Sequence, residues 1–262
     1  MNEFIRPKPL CLIIISGLHV DYLSEGKVPN IRALANDYPF LILDSDKRNI
    51  DNFQDSYVEL GTGSSLNEDN RIALSKVISD AGLNQLHLAD TESYASATYF
   101  FNNKNKLKHN QEIWSKKFLL KVNFRSDFVN TMHNKLTKKL IKEIDKQYYD
   151  FIVINYNDLL ISSDKLRAIH NLDKNIKDIV DIILSLNGAV LLTSNTSFNV
   201  LDNRIPFLLI GKEWKDKSHI NYDFKKKINE QITNGNITQV SPTILKILGL
   251  SKPREMKTNS LI

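Results

Sequence analysis

The chain has 262 residues, 42% of them hydrophobic and 25% charged, the balance of a soluble globular protein with room for one large α/β domain or two small ones. The single cysteine, Cys11, excludes an intramolecular disulfide, and the net charge of +5 admits an acidic partner or nucleic acid. No stretch reaches the ~18 apolar residues of a membrane span, and the apolar run after Met1–Pro9 is too short for a secretory signal, so a cytoplasmic protein without a membrane partner is expected.

In chain order, Leu10–Ile15 reads as a buried strand, Val28-Pro29-Asn30 as the start of a short helix through Asn36 with Pro29 just before it as a turn signal, and Phe40–Leu43 as a second strand. Residues 44–70 read as a polar loop, with Gly61-Thr62-Gly63-Ser64-Ser65 its most flexible part. A helix is expected over Arg71–Asp80, stopped at Gly82, then a strand at Gln85–Ala89. Ser93–Phe101 is helical or extended, with Tyr94, Tyr99, Phe100 and Phe101 assigned to the core; Lys104–Gln111 is a polar connection and Phe118–Val122 a strand. Two long amphipathic helices, Asp127–Lys146 and Asp164–Leu186, flank the strand Phe151–Asn155, the second with Asp164 as its N-cap. Strands at Ala189–Thr193 and Ile205–Gly211 follow, then helices at Phe224–Ile232 and Ser241–Leu248, the last with Ser241 as N-cap and Pro242 at the first helical position. Alternating short apolar runs and amphipathic helices predict one α/β domain over 1–262, with no repeat, low-complexity stretch or linker.

Six colinear stretches carry a resemblance: KPLCLIIISG at Lys8–Gly17, VPNIRALANDYPFLILDS at Val28–Ser45, AGLNQLHLADTESYASATYFFNN at Ala81–Asn103, YDFIVIN at Tyr149–Asn155, GAVLLTSN at Gly188–Asn195, and SPTILKILGLSKPREMKTNSLI at Ser241–Ile262. In this order they resemble the phosphatase domain of cofactor-independent phosphoglycerate mutases, within the alkaline phosphatase superfamily. The resemblance implies a three-layer α/β sandwich, a central mostly parallel sheet with helices on both faces. It also implies that the phosphotransferase-like domain inserted in that family is absent, because the chain passes from Gly63 directly into the Arg71 helix.

The resemblance further implies a two-metal site, which needs clustered Asp and His to hold two divalent ions and neutralise a transferring phosphoryl group. Here those positions have changed. The first-strand Asp corresponds to Ser16, an Asp and His four residues apart to Leu160 and Asp164, an Asp-His pair to Asn195-Thr196, a further His to Val200, and a substrate lysine to Asn84. Ser16, Asn84, Leu160, Asp164, Asn195 and Thr196 therefore outline a vestigial pocket, and all but Asn84 are expected to converge at the C-terminal edge of the sheet. The nucleophile region aligns with Asp55-Ser56-Tyr57 and Gly61-Thr62-Gly63, leaving Ser56, Thr62, Ser64 and Ser65 as candidates. A serine without a base or metal is a weak nucleophile.

Asp158 reads as a polar loop residue rather than a shifted ligand. No two of the six histidines stand at i,i+3 or i,i+4 spacing, and His87 retains the option of touching an anion. The lysines are spread over several segments, as on solvated faces. The expected function is a catalytically inactive, mutase-like protein with no metal and no cofactor, acting in binding, regulation or assembly through a protein partner or a homodimer. The alternatives are a metal-dependent phosphotransferase or hydrolase with a relocated site, and a basic nucleic-acid-associated protein.

Overall fold

The computed structural model describes residues 6–45, 53–117, 126–197, 202–216 and 233–262. Its strands are β1 (Leu10–Ile15), β2 (Phe40–Asp44), β3 (Gln85–Asp90), β4 (Glu112–Lys117), β5 (Phe151–Tyr156), β6 (Ala189–Thr193), β7 (Arg204–Ile210) and β8 (Gly235–Asn236). They form one sheet in the order β4-β3-β5-β1-β6-β7-β2-β8, in which β7 alone runs antiparallel to its neighbours. The helices are α1 (Asp21–Ser24), α2 (Pro29–Asp37), α3 (Phe53–Thr62), α4 (Leu74–Asp80), α5 (Ser126–Asp145), α6 (Asp158–Ile161), α7 (Lys165–Ser185) and α8 (Val240–Ile247).

The central strands are buried on both faces, which is why they read as unbroken apolar runs. Alternation divides each between two cores. Cys11, Ile13 and Ile15 join Ile152 and Ile154 against residues of α2, α5 and α7. Leu10, Leu12 and Ile14 join Phe151 and Val153 against residues of α3, α4 and α8. These are the expected three layers, and no described helix is long and apolar enough to cross a membrane.

The largest departure from the sequence reading lies within residues 44–70, where α3 replaces a loop. Tyr57, Val58 and Gly61, at i, i+1 and i+4, are buried on it. Gly61 is there for contact rather than flexibility: a Cβ at this position would lie 1.9 Å from the Phe101 carbonyl oxygen. Phe101 follows a π-helical turn at Ser96–Phe100 and is fully buried, whereas Tyr94, Tyr99 and Phe100 are only partly so. Ser64 and Thr62, read as loop hydroxyls, are buried.

Other boundaries shift for local reasons. The strand beside β3 is Glu112–Lys117, upstream of Phe118–Val122, which lies outside the described residues, as do Phe224–Ile232 and Val200. As an edge strand β4 needs no continuous apolar run. The last helix starts at Val240, one residue before Ser241, and follows a 3₁₀ turn, Ile237–Gln239, that carries its own Asn236/Gln239 capping box. Ser241 is thereby released from capping and donates to the Leu60 carbonyl at 2.5 Å. Asp164 caps α7 as expected, accepting from Arg167 N. The N-terminus of α2 has no cap of its own; Asp173 of α7 accepts from Asn30 N at 2.9 Å and Ile31 N at 2.8 Å.

Gly61→Ala tests the α3 packing. Because backbone, not a movable side chain, blocks the added methyl, the variant is expected to lose at least about 3 kcal/mol of stability, or not to fold. Urea denaturation should show a clearly larger loss than for Gly82→Ala, where no atom lies within 4 Å of the added Cβ and only the left-handed φ of +73° is strained.

Candidate functional site

Strand parity delivers the first residues of the site. Leu10, Leu12 and Ile14 face the α3 layer, so Ser16 faces it too, just beyond the C-terminal end of β1. Phe151 and Val153 do the same for Asn155 at the end of β5. Tyr57 of α3 meets both. Its hydroxyl lies 2.6 Å from Ser16 Oγ and 3.1 Å from Asn155 Oδ1, and Ser16 Oγ lies 3.2 Å from the same amide oxygen. All three residues are fully buried. The two hydroxyl hydrogens serve three contacts, so one hydroxyl donates to the other and the amide oxygen accepts. Burial pushes the Tyr57 phenol well above its ordinary range despite its bonds to Ser16 and Asn155, so it stays protonated and the cluster carries no charge. Asn155 Nδ2 is buried with no hydrogen-bond partner.

The neighbouring loops close on this cluster. Gly17 N donates to Thr196 O at 3.1 Å, and Gly17 forms a bridge with Ser197. Gly17, at φ +86°, packs closely against Leu160, whose Cδ2 would lie 3.0 Å from a Cβ there. Asn195 Nδ2 donates to Ser56 Oγ at 3.0 Å. Ser16, Leu160, Asn195, Thr196 and Ser56 are thus brought together at the C-terminal edge of β1, β5 and β6.

The other candidates stand elsewhere. Asn84 is at the opposite, N-terminal edge, where its N–H donates to Asp150 Oδ2 at 2.9 Å and its carbonyl accepts from Asp150 N at 2.9 Å. It precedes β3 rather than following it, so a lysine there could not have reached this pocket. Asp164 is exposed and spends its carboxylate on the α7 cap. Thr62 Oγ1 donates to Val58 O at 2.7 Å and Ser64 Oγ to Glu255 O at 3.0 Å, so both hydroxyls tie main chain together; Ser65 N donates to Glu68 Oε1 at 3.3 Å in the loop beyond α3, and Ser56 is the candidate that touches Asn195. His87 offers nothing to an anion: it is fully buried, its Nδ1–H donates to Ala97 O at 2.8 Å, and burial lowers its pKa.

Sequence reasoning missed two charged groupings near this edge. Asp90, at the end of β3, is buried and takes bonds from Ser93 N and Oγ, both 2.8 Å. Burial, and next the nearby Asp158 charge, raise its pKa to about 6. Asp158, read as a loop residue, is instead buried at the start of α6. His19 sits between carboxylates, Nδ1 at 3.1 Å from Asp21 and Nε2 at 3.2 Å from Asp202. Burial would raise the Asp202 pKa, but hydrogen bonds from Arg204, at 2.9 and 3.0 Å from Nε, hold it at about 2. Asp90 ends β3, and Asp158 and His19 lie two and four residues past the ends of β5 and β1; these positions at the C-terminal ends of strands were the available signal.

Residues 17–252 match the model of the Metalloenzyme superfamily. The chain belongs to that superfamily. Among curated relatives, the 2,3-bisphosphoglycerate-independent phosphoglycerate mutase of Antithamnion sp. is 32% identical over 218 residues, covering 75% of this chain and 40% of the relative. The chain spans about 40% of the length of the curated relatives it matches. Among solved structures, Leishmania mexicana phosphoglycerate mutase superposes with a TM-score of 0.60 at 16% identity, over 72% of this chain and 39% of that one. An alkaline phosphatase superfamily protein from Vibrio parahaemolyticus gives 0.67 at 12% identity, over 99% and 70%. The alkaline-phosphatase-like fold is therefore shared.

The residues of this Metalloenzyme-superfamily chain do not fit the metal pair that the family resemblance implies. The converging side chains are three hydroxyls, an amide and an aliphatic group, and the added Tyr57 and Asn155 are neutral as well. None supplies the negative charge that offsets dehydration of two divalent ions. Among the described residues, no three His, Cys, Asp or Glu side chains group as a metal site would require.

The Asp90 carboxyl makes a pH prediction. Its folded pKa is raised, so the stability it contributes is complete below pH 3.8 and is lost as the pH rises through about 6. Asp90→Asn should remove this dependence. On the order of 2–3 kcal/mol of wild-type stability should disappear across that window and persist in the variant, as read from denaturation midpoints at a series of pH values.

Proposed function

We propose that this chain is a phosphoglycerate mutase-like domain without phosphoryl-transfer chemistry, acting as a binding, regulatory or assembly protein. One observation carries the reading: Ser16, where the resemblance implies a metal-binding Asp, is buried in an uncharged cluster with Tyr57 and Asn155. A fold kept without its site does not keep its activity. Ser56, the remaining nucleophile candidate, faces the amide of Asn195, which can donate to its oxygen but cannot act as a general base toward it.

The connection from α3 to α4 supports the same reading. Only Gly63–Ala73 lies between them, and Arg71 pins it by donating to Leu66 O at 2.7 Å and Glu68 O at 2.6 Å. No second domain enters there, and a chain that lacks the inserted domain would lack the half that orients a phosphoglycerate. What remains available for function is surface, both around this connection and on the lysine-bearing helix α5, toward a protein partner.

Phosphomonoester hydrolysis and mutase turnover should both stay at background with Mg²⁺, Mn²⁺ or Zn²⁺. The triple variant Ser16→Asp, Asn195→Asp, Thr196→His should not restore either, because Leu160 remains aliphatic and Tyr57 still fills the centre. Wild-type turnover that Ser56→Ala abolishes would overturn the proposal in favour of a working enzyme with a relocated site built around Asp158 and Asp90.

A further inference from the structure

The sheet ends on one side in β4, which pairs in register with β3 and with no other described strand. An edge of this kind presents main-chain donors and acceptors to the surroundings. This one also presents apolar side chains: Ile113 is 40% exposed and Leu107, just before the strand, 74%. Two lysines stack on aromatic rings of the same edge region. Lys116 Nζ lies 5.1 Å from the Tyr94 ring centre and Lys108 Nζ 6.0 Å from that of Trp114.

Helix α5 extends the basic surface. Lys139 donates to the Lys116 carbonyl at 3.1 Å, which seats this face of the helix against β4. Lys135, Lys138 and Lys142 share the face with Lys139 at three- and four-residue spacing, and all three are exposed. Among the described residues no acidic side chain forms an ion pair with these three. By contrast, Lys146 is paired to Glu143 at 2.7 Å at the end of the same helix.

We propose that the β4 edge and the adjoining lysine face of α5 form a docking site for an acidic, extended segment of a partner protein, which adds to the sheet as a strand beside β4. The inference rests on the non-catalytic reading above and names its partner class. Three features select this occupant. The main chain of β4, which has no described strand beside it apart from β3 and of which the Lys116 carbonyl is taken by Lys139, calls for a partner with main-chain groups of its own, which nucleic acid lacks. Ile113 and Leu107 call for apolar side chains at alternate positions. The single sign of the flanking charge calls for carboxylates, and it opposes edge-to-edge pairing with a second copy of this chain.

The test uses the intact protein and a capped eight-residue peptide alternating Glu and Val. Two controls accompany it: the same peptide with every amide N-methylated, which keeps its charge and loses its donors, and an oligothymidylate of equal charge. Binding is read from tryptophan fluorescence at low and physiological salt. The alternating peptide should bind, the N-methylated one should not, and Lys135→Glu/Lys138→Glu/Lys142→Glu should weaken binding by at least about tenfold with an unchanged thermal midpoint. Ile113→Asp, at an exposed position, should weaken it likewise. Equal binding of the N-methylated peptide, displacement by oligothymidylate at equal or lower concentration, an unaffected triple variant, or no binding at low salt would each overturn the proposal. Metal content and phosphatase activity measured on the same preparation keep the two readings apart. A metal-free, inactive protein that ignores the peptide loses only the docking site, whereas a metal-loaded, active one loses the non-catalytic reading on which the site rests.

Discussion

The arrangement on which the rest depends is the contact among Ser16, Tyr57 and Asn155. Three elements distant in sequence, β1, α3 and β5, place one polar group each at a single buried point, within 2.6–3.2 Å of one another. Burial makes such a point demanding. A charge there would have to be neutralised by partners that are not present, whereas hydroxyls and an amide can largely satisfy one another. The uncharged solution is compatible with a dry core immediately beneath it, and it is incompatible with a centre that must hold two cations.

That contact also explains why α3 has its particular shape. Tyr57 reaches the strand ends only because the helix lies close over the sheet, and the close approach is set one turn later by Gly61 under the Phe101 carbonyl. The hydroxyls of Thr62, Ser64 and Ser241, which in isolation look like nucleophile or capping groups, tie this helix to itself, to the C-terminal tail and to α8. The segment that aligns with the nucleophile region is a packing element here, with Ser56 accepting from the amide of Asn195.

Much of the architecture was legible in the sequence because doubly buried strands and amphipathic helices leave strong patterns. FIVIN at β5 and the apolar spacing of α7 needed no tertiary information. The helix α3 was not legible, because its Asp-Ser start and Gly-Thr-Gly end carry the composition of a loop and its stability comes from burying Tyr57 and Gly61 against distant residues. Among the candidate site residues, Ser16, Leu160, Asn195, Thr196 and Ser56 were placed together by colinear resemblance. Asn84 belongs to the opposite edge because it precedes β3, and a residue before a parallel strand lies at the edge opposite to one after it. Tyr57 and Asn155 went unrecognised for a simpler reason. A phenol and an amide within apolar segments look like core residues; the parity of β5 turns Asn155 toward Ser16, and Tyr57 meets both only through the packing of α3 over the sheet.

The account stands or falls on whether this centre can take up divalent cations. Protein purified without chelators and then dialysed against excess Mn²⁺ and Zn²⁺ can be desalted and its metal content measured by elemental analysis, beside a Tyr57→Ala variant in which the central side chain is truncated. A neutral, filled centre predicts no retained metal in either protein, since removing the phenol opens space without supplying a ligand. Stoichiometric retention of two metal ions per chain by the wild-type protein would contradict it.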